Sequence, residues 1–348
     1  MDDDIFAPAL RDVQTSRPDD AGAKQAVHDP ARTYVFNGDA DGLCALQQLR
    51  LCEGAGGTLI TGVKRDIQLL MHVTAVPGGQ VTALDLSHDQ NREDVARILA
   101  AGATLRYFDH HYAGALPDHP CFYAYIDTSA EVCTSALVNR YLQGRHAGWA
   151  VVAAFGDALP DLGRMLAQEH GIAPDAVESL AQLGRYLNYN AYGEDLDDLH
   201  FSPAALAEAM LPYAHPLDFI DQTDVVPVLA EGYRDDLRRA RSIDPEFETT
   251  GAVMFVLPAQ KWSRRVSGTL ANEMKQECAD RALAILSPRL DGGYVVSVRV
   301  PSNNAVGADD FCRLFASGGG RKLAAGINHL PEADVESFAA RFKATFDD

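Results

Sequence analysis

Short apolar runs that alternate with helical patterns between residues 33 and 108 constrain the fold more than any other feature of the chain. The runs occupy residues 33–36, 58–63, 81–84 and 104–108. Leucines recur at helical spacing between the first run and Gly54, and aliphatic residues do so between the third run and Gly102. Strands that alternate with helices of this length predict a parallel sheet in an α/β domain.

Acidic residues follow three of the four runs, at what would be the carboxyl edge of that sheet. They are Asp39 and Asp41 after the first run, Asp85 after the third, and Asp109 after the fourth, where His110 and His111 follow. Open α/β sheets bind their ligands at this edge. Solvated acids scattered by chance would not fall repeatedly at this point. The repeated position of the acids therefore predicts a ligand site there.

The remaining sequence predicts a second domain. Helices are expected at residues 132–142 and 149–155, the second leading to Gly156 and Asp157, and residues 161–240 read as mostly helical. The β-like runs 252–257 and 294–300 flank a helix expected at about 266–286. The 348 residues suffice for two cores. We predict a polar arm at 1–30, a parallel-sheet domain at 31–215, a helical linker at 216–250 and a smaller α/β domain at 251–348.

Net charge, apolar content and cysteine spacing limit the kinds of partner and cellular location that the sequence predicts. The net charge of −19 argues against a broad surface for duplex nucleic acid and favours a small nucleotide or a short single strand. The start Met-Asp-Asp-Asp resembles no signal peptide, and no apolar run reaches membrane-spanning length. Six cysteines without a Cys-x-x-Cys pair indicate reduced thiols. These features predict a cytoplasmic protein without a membrane partner; its oligomeric state is open, with a homodimer among the options.

Each acidic element also has an ordinary structural interpretation when it is taken alone. Asp39 and Asp41 fit a solvated turn, Asp85 fits a helix N-cap, and Asp157 fits a cap or a turn. If all of them converge with the two histidines, the carboxylates repel one another unless cations are present. Oxygen-rich ligands with one or two imidazoles suit Mn²⁺ or Mg²⁺, and a pair of such ions would clamp a phosphoryl group.

Four ordered motifs between Tyr34 and Asp157 resemble those of the DHH phosphoesterases. The motifs are Asp39-Ala-Asp41-Gly42, the strand-end Asp85, Asp109-His110-His111, and Gly156-Asp157. The resemblance implies two Mn²⁺ or Mg²⁺ ions held by Asp39, Asp41, Asp85, His110 and Asp157, with Asp85 bridging. It further implies that His111 contacts the scissile phosphate and that Asp109 orients the imidazoles. Val35 stands where many small-substrate members carry a metal-binding histidine.

The C-terminal region resembles the DHHA1 substrate-binding domain that accompanies this family. The resemblance rests on Gly318, Gly319, Gly320 and a following Ala-Ala-Gly, with Arg321 in place of the usual histidine, and on the strand that contains Arg299. It implies that these five residues bind a terminal phosphate or a nucleotide. A further stretch with Trp262, Arg264, Arg265 and Asn272 is either the start of a surface helix or a substrate contact.

Three classes of function follow from these motifs. The first is a two-metal phosphoesterase that cleaves phosphodiesters of short oligonucleotides or small nucleotides, in which a metal-bridging hydroxide attacks phosphorus. A RecJ-type single-strand exonuclease and a pyrophosphate or polyphosphate hydrolase are variants of it. The second is a haloacid-dehalogenase-type phosphatase with Asp39 as covalent nucleophile, which leaves Asp109, His110 and His111 unexplained. The third is a regulatory nucleotide-binding protein without catalysis.

Overall fold

A five-stranded parallel sheet forms the first half of the chain. The computed structural model describes residues 32–347, so the polar arm predicted at 1–30 lies outside the described residues. The strands are β1 (Arg32–Phe36), β2 (Thr58–Thr61), β3 (Gln80–Leu84), β4 (Thr104–Asp109) and β5 (Phe122–Ile126). Their order across the sheet is β2-β1-β3-β4-β5. The parallel sheet of the sequence prediction is confirmed.

Helices cover both faces of this sheet, which is why its strands read as almost continuous apolar runs. Tyr34 and Phe36 of β1 face a large core with most of the helices, whereas Val35 faces a smaller core with α2. The helices are α1 (Ala40–Glu53), α2 (Arg92–Ala100), α3 (Thr134–Tyr141), α4 (Ala147–Gly156), α5 (Pro160–Glu169), α6 (Pro174–Ala191), α7 (Pro203–Met210), α8 (Pro216–Gln222) and α9 (Val225–Arg241).

The strand order determines where a ligand can bind. From β1 the chain passes through α1 to β2 on one side, and it then crosses to β3 on the other side of β1. The carboxyl ends of β1 and β3 therefore flank a topological switch point, where the two connections diverge and leave a crevice. Asp39 and Asp85 follow these two ends.

The second half of the chain contains a six-stranded mixed sheet in the order β10-β11-β9-β8-β7-β6. Its strands are β6 (Phe247–Glu248), β7 (Ala252–Val256), β8 (Ala282–Pro288), β9 (Tyr294–Arg299), β10 (Gly318–Arg321) and β11 (Ala324–Leu330), and its helices are α10 (Lys261–Glu277), α11 (Ala308–Cys312) and α12 (Val335–Phe346). The parallel pair β7 and β8 is joined by α10, which lies between this sheet and α9. The predicted fold class, two α/β parts joined by helices, is confirmed; the predicted boundaries at 215 and 250 stay predictions.

One local prediction is wrong, and two further elements are seen only in the structure. The helix expected at 266–286 ends at Glu277, and β8 follows, because the apolar run 282–286 is a central strand buried on both faces rather than a helical face. Strand β5 was not predicted, since its exposed Tyr123 and Ala124 break the apolar run. The glycine run is a strand: Gly318–Arg321 pairs with β11 as a hairpin.

The two halves meet through paired charges, and we refer to this region as the junction (Tyr189, Asp198, Asp236, Arg264 and Arg265). Arg264 on α10 donates to both carboxylate oxygens of Asp198, at 2.5 and 2.6 Å. Arg265 donates to Asp236 on α9 at 2.8 Å and to the Asp198 carbonyl at 2.6 Å. Tyr189 also bonds to Asp236. Arg264 and Arg265 at the start of α10 are therefore paired between the halves rather than exposed on a free surface, and a substrate contact by this stretch stays a prediction.

Two smaller expectations concern the thiols and the membrane. All six cysteines are free, as their spacing predicts. Within residues 32–347, no helix combines the length and the apolar character that crossing a membrane requires.

Candidate active site

A cleft of about 790 Å³ opens at the carboxyl edge of the parallel sheet. It brings together most of the site residues that the sequence predicts. Those that line it are Asp39, Asp85, His110, His111 and Asp157 from the first half and Arg321 from the second. Asp41 and Asp109 lie buried directly behind this wall. The predicted convergence of the four motifs is therefore present in the structure.

Asp39 caps helix α1, and the chain itself uses both of its carboxylate oxygens. Oδ1 accepts hydrogen bonds from the backbone N–H groups of Asp41 and Gly42, at 3.0 and 3.1 Å. Oδ2 accepts a hydrogen bond from Lys64 Nζ at 2.5 Å. Gly42 must be glycine, because a Cβ there would stand 2.1 Å from the Asn37 carbonyl oxygen. The turn thus holds Asp39 rigidly, as both an N-cap and an ion-pair partner.

Asp41 points to the start of α3. Its two oxygens accept hydrogen bonds from the N–H groups of Thr134 and Ser135, both at 2.7 Å. Burial, followed by the charges of Asp85 and Asp157, raises the pKa of Asp41 well above its usual range. A cation bound beside Asp41 would stabilise its charged form, because it offsets the repulsion from the neighbouring carboxylates.

Asp85 has a strained backbone directly after β3. Its φ is 59°, in the left-handed region that residues with side chains seldom adopt. The Thr134 hydroxyl donates to Asp85 Oδ1 at 3.1 Å. Although burial opposes its charge, His110 and His111 hold the pKa of Asp85 below its usual range. With this backbone conformation, the Asp85 carboxylate lies between the two histidines and the start of α3.

The ring of His110 has a defined orientation and tautomer. Its Nδ1 lies 2.8 Å from the Val132 carbonyl, which can only accept a hydrogen bond, so Nδ1 carries a proton. Nε2 lies 3.4 Å from Asp85 and 3.7 Å from Asp157. Burial disfavours its protonation, but Asp85 and the other acids raise the pKa of His110 to about 10. A carbonyl that fixes one ring nitrogen and directs the other at carboxylates is the arrangement found around metal-binding histidines.

Asp109 and His111 form a second imidazole–carboxylate pair. Asp109 is fully buried at the end of β4, and its Oδ1 accepts a hydrogen bond from His111 Nδ1 at 2.7 Å. The His111 side chain is 46% exposed, so its other nitrogen faces the cleft. Burial lowers the pKa of His111, but the hydrogen bond to Asp109 and the charges of Asp85 and Asp109 together raise it overall. His111 can therefore donate a hydrogen bond to an anion in the cleft.

Asp157 enters the cleft from the C-terminal end of α4. Gly156 before it must be glycine, since a Cβ there would lie 2.4 Å from the Ala40 Cβ and 2.9 Å from the Gly184 carbonyl oxygen. Burial and the charges of Asp39 and Asp85 raise the pKa of Asp157 to about 6, against the opposing effect of Lys64. Close packing of three helices thus sets the position of this carboxylate.

These donors fit a divalent ion. Two overlapping groups have ligand atoms within 4.8 Å of one another: Asp85, His110 and His111, and Asp41, His110 and Asp157. Together they supply carboxylate oxygens and two imidazole rings, a set that Mn²⁺ or Mg²⁺ accepts. Asp39 belongs to neither group, although the resemblance implies it as a ligand.

Lys64 is a site residue that the sequence reasoning missed. It lines the cleft, and its ammonium contacts Asp39 at 2.5 Å and Asn188 Oδ1 at 2.9 Å. Burial opposes its charge, but Asp39 beside it raises the pKa of Lys64 well above the usual value. A signal was available, because Lys64 follows β2 as the acids follow the other strands.

The residues predicted to bind substrate do not stay together. Arg321 is exposed and lines the acidic cleft, although it belongs to the second half of the chain. Arg299 instead donates to Asn272 at 2.9 Å, and Asn272 lines a neighbouring cleft with Gly156. Gly318, Gly319 and Gly320 form strand β10, which leads to Arg321. Of this set, Arg321 alone is among the residues that line the acidic cleft.

Comparison with known proteins agrees with this architecture. Residues 248–348 match the DHHA1 domain. No curated protein sequence matches the chain. Exonuclease RecJ bound to manganese has a similar structure, with 20% identity, 90% of this chain and 89% of that chain covered, and a TM-score of 0.56. RecJ from Thermus thermophilus in complex with Mn²⁺ gives 19% identity, a TM-score of 0.52, and coverage of 90% of this chain and 51% of that chain.

The fold and the cleft define a RecJ-like protein of two α/β parts with acids and histidines at the edge of its first sheet. Residues 248–348 therefore carry the DHHA1 domain that the sequence predicts, and the fold of the whole chain is similar to that of RecJ.

Proposed function

We propose that this protein is a metal-dependent phosphoesterase that hydrolyses phosphodiester bonds of small nucleotides or short single-stranded oligonucleotides. The observation that carries the proposal is the orientation of His110. Its Nδ1 is fixed by the Val132 carbonyl, and its Nε2 is directed at Asp85 and Asp157 in the cleft. Such an arrangement serves a metal ion better than it serves a folded core.

Asp41, Asp85, His110 and Asp157 would hold a divalent ion, Mn²⁺ or Mg²⁺. When bound, such an ion supplies Lewis acidity and a nucleophile at neutral pH. His111, held by Asp109, donates to a phosphoryl oxygen and stabilises the charge that develops there. Arg321 reaches the same cleft from the DHHA1 domain and binds a phosphate of the substrate.

The similarity to RecJ favours a second candidate within the same chemistry, a single-strand exonuclease. The net charge of −19 favours shorter substrates, because a long strand is repelled by such a surface. Hydrolysis of polyphosphate or pyrophosphate is a further variant of the same chemistry, and polyphosphate is included in the test. The cytoplasmic location and the homodimer of the sequence analysis also stay predictions.

A substrate panel tests the proposal. Purified protein with Mn²⁺ is incubated with dinucleotides, cyclic dinucleotides, 3′-phosphoadenosine phosphate, polyphosphate and single-stranded DNA, and products are followed by chromatography. We expect turnover of at least one short nucleotide. Asp85→Ala and His110→Ala should each lower it by at least about 10³-fold, or about 4 kcal/mol of transition-state stabilisation.

Asp161→Ala is the matched control, because the Asp161 side chain is fully exposed four residues beyond Asp157. It should leave turnover unchanged. Full activity of either cleft variant, with folding verified by circular dichroism, would exclude the proposed site. Degradation of long single strands in preference to dinucleotides would replace the first candidate by the second.

A further inference from the structure

A lysine stands among the acids of the cleft, where the DHH resemblance implies only cations from solution. Lys64 Nζ lies 2.5 Å from Asp39 Oδ2 and 4.0 Å from Asp157 Oδ1. It also donates to Asn188 Oδ1 at 2.9 Å. Three oxygen-bearing side chains from three parts of the fold thus surround one ammonium group. This is the composition of a cation site, with a cation supplied by the chain.

The structure holds Lys64 in this position through its backbone as well as its side chain. Its N–H donates to the Ala191 carbonyl at 2.9 Å. Its own carbonyl accepts a hydrogen bond from Asn37 Nδ2 at 3.2 Å. The ammonium also lies 5.6 Å from the centre of the Tyr192 ring, within the range of a cation–π contact. The side chain is 25% exposed, so the charge still borders the cleft.

The acids around His110 differ from Asp39 in having ligand atoms that converge on one another. Two groups of ligand atoms converge within 4.8 Å, one of Asp85, His110 and His111 and one of Asp41, His110 and Asp157. Both groups share His110, whose Nε2 lies 3.4 Å from Asp85 and 3.7 Å from Asp157, and Asp39 is in neither. Both oxygens of Asp39 already accept hydrogen bonds, one set from the start of α1 and one from Lys64. A metal ion at Asp39 would therefore have to displace the lysine.

We propose that Lys64 is a built-in cation of the cleft, and that the site consequently binds one divalent ion rather than the two that the family resemblance implies. The ion binds among Asp41, Asp85, His110 and Asp157, and the ammonium takes the position between Asp39 and Asp157. The ammonium can donate to a phosphoryl oxygen, but it is no Lewis acid and cannot activate water as a metal ion does. Its role in hydrolysis rests on the proposed function, whereas the ion count does not.

The ion count is measured directly. Wild-type protein and Lys64→Ala are stripped with chelator and equilibrated with Mn²⁺, and bound metal is determined by equilibrium dialysis and mass spectrometry. Electron paramagnetic resonance then separates isolated from exchange-coupled Mn²⁺. We expect about one isolated ion per chain in the wild type. Lys64→Ala frees Asp39 Oδ2, so it should bind about two ions and give a coupled spectrum.

Lys64→Met preserves the packing of the side chain without its charge and serves if Lys64→Ala does not fold. Lys275→Ala, at an exposed lysine of α10, is the control and should match the wild type. Two tightly bound, coupled ions in the wild type would overturn the proposal, as would a count of one in both folded Lys64 variants. If the wild type binds one ion but hydrolyses no member of the substrate panel, the proposed function fails and the assignment of Lys64 stands.

Discussion

The cleft and the junction are both rich in buried charge, and they balance it differently. At the junction, Arg264 faces Asp198 and Arg265 faces Asp236, so each buried carboxylate has its own guanidinium. In the cleft, four carboxylates (Asp39, Asp41, Asp85 and Asp157) have Lys64 and two histidines as their nearby cationic partners. Buried charges that are paired hold parts of a protein together, whereas an excess of one sign needs something from outside.

The pKa shifts follow the same division. At the junction, burial opposes the charge of Asp198, but Arg264 lowers its pKa all the same. In the cleft, burial and neighbouring acids raise the pKa of Asp41 and Asp157. Asp198 is therefore stabilised as an anion, whereas Asp41 and Asp157 are destabilised; within the cleft only Asp85, beside its two histidines, has a lowered pKa among these acids. This difference favours the cleft as the binding site. It also predicts that mutations in the two regions change the free energy of unfolding in opposite directions.

The largest effect is expected at the junction. Arg265→Ala leaves the buried Asp236 carboxylate without its partner and should lower the free energy of unfolding by about 3–5 kcal/mol. Urea unfolding followed by circular dichroism measures this. Arg238→Ala, which removes an exposed pair with Asp235 on the same helix α9, should cost no more than about 0.5 kcal/mol. Equal effects of the two substitutions would contradict the distinction between paired core and surface charge.

A smaller effect of opposite sign is expected in the cleft. Asp157→Asn removes a carboxylate whose pKa is raised to about 6, so without metal it should stabilise the fold by about 1–2 kcal/mol near pH 8. The gain is complete above the folded pKa and disappears below about pH 4, where the unfolded acid is also protonated. Thermal unfolding in chelator across this pH range measures it.

With added Mn²⁺ the wild type should become more stable to thermal unfolding than Asp157→Asn, because the ion binds a carboxylate that the variant lacks. Asp161→Asn, at a fully exposed side chain, should follow the wild type throughout. Destabilisation by Asp157→Asn in chelator would show that this acid is structural rather than part of a binding site.

The smallest effect concerns Arg321, a charge that crosses between the two halves. Arg321→Ala should raise KM for the substrate identified by the panel by about 5–10-fold, about 1 kcal/mol, with kcat changed less than about twofold. Steady-state kinetics distinguish the two parameters. Lys322→Ala removes the neighbouring exposed charge and should leave both unchanged. An unchanged KM in Arg321→Ala would show that Arg321 of the DHHA1 domain does not bind the substrate.

Much of the first half could be predicted because its signals are local. Each β-strand from β1 to β4 is a short apolar run, and the acids follow from the rule that parallel sheets bind ligands at one edge. Lys64 lies at the same edge, after β2, but its position alone does not distinguish a site residue from a solvated lysine until its partners are known. Asp39 and Asn188, its contacts, are separated from it by 25 and 124 residues.

The second half was harder because its signals are tertiary. Strand β8 is buried on both faces, so its apolar run has neither the alternation of a half-exposed strand nor a clear end after α10. Arg264 and Arg265 read as a basic surface, since their partners Asp198 and Asp236 come from distant segments. Sequence spacing shows which residues are charged, but only the fold shows which charges are already paired.

The contact of Gly156 with Ala40 and Gly184 has a consequence for how tolerant this site can be. The three residues bring α4, α1 and α6 so close together that no added methyl group fits at position 156. Asp157 follows at once, and α1 begins directly after Asp39. The spacing between these two carboxylates is therefore set by the close packing of these helices, so a single added carbon atom at position 156 is enough to put the acids out of alignment.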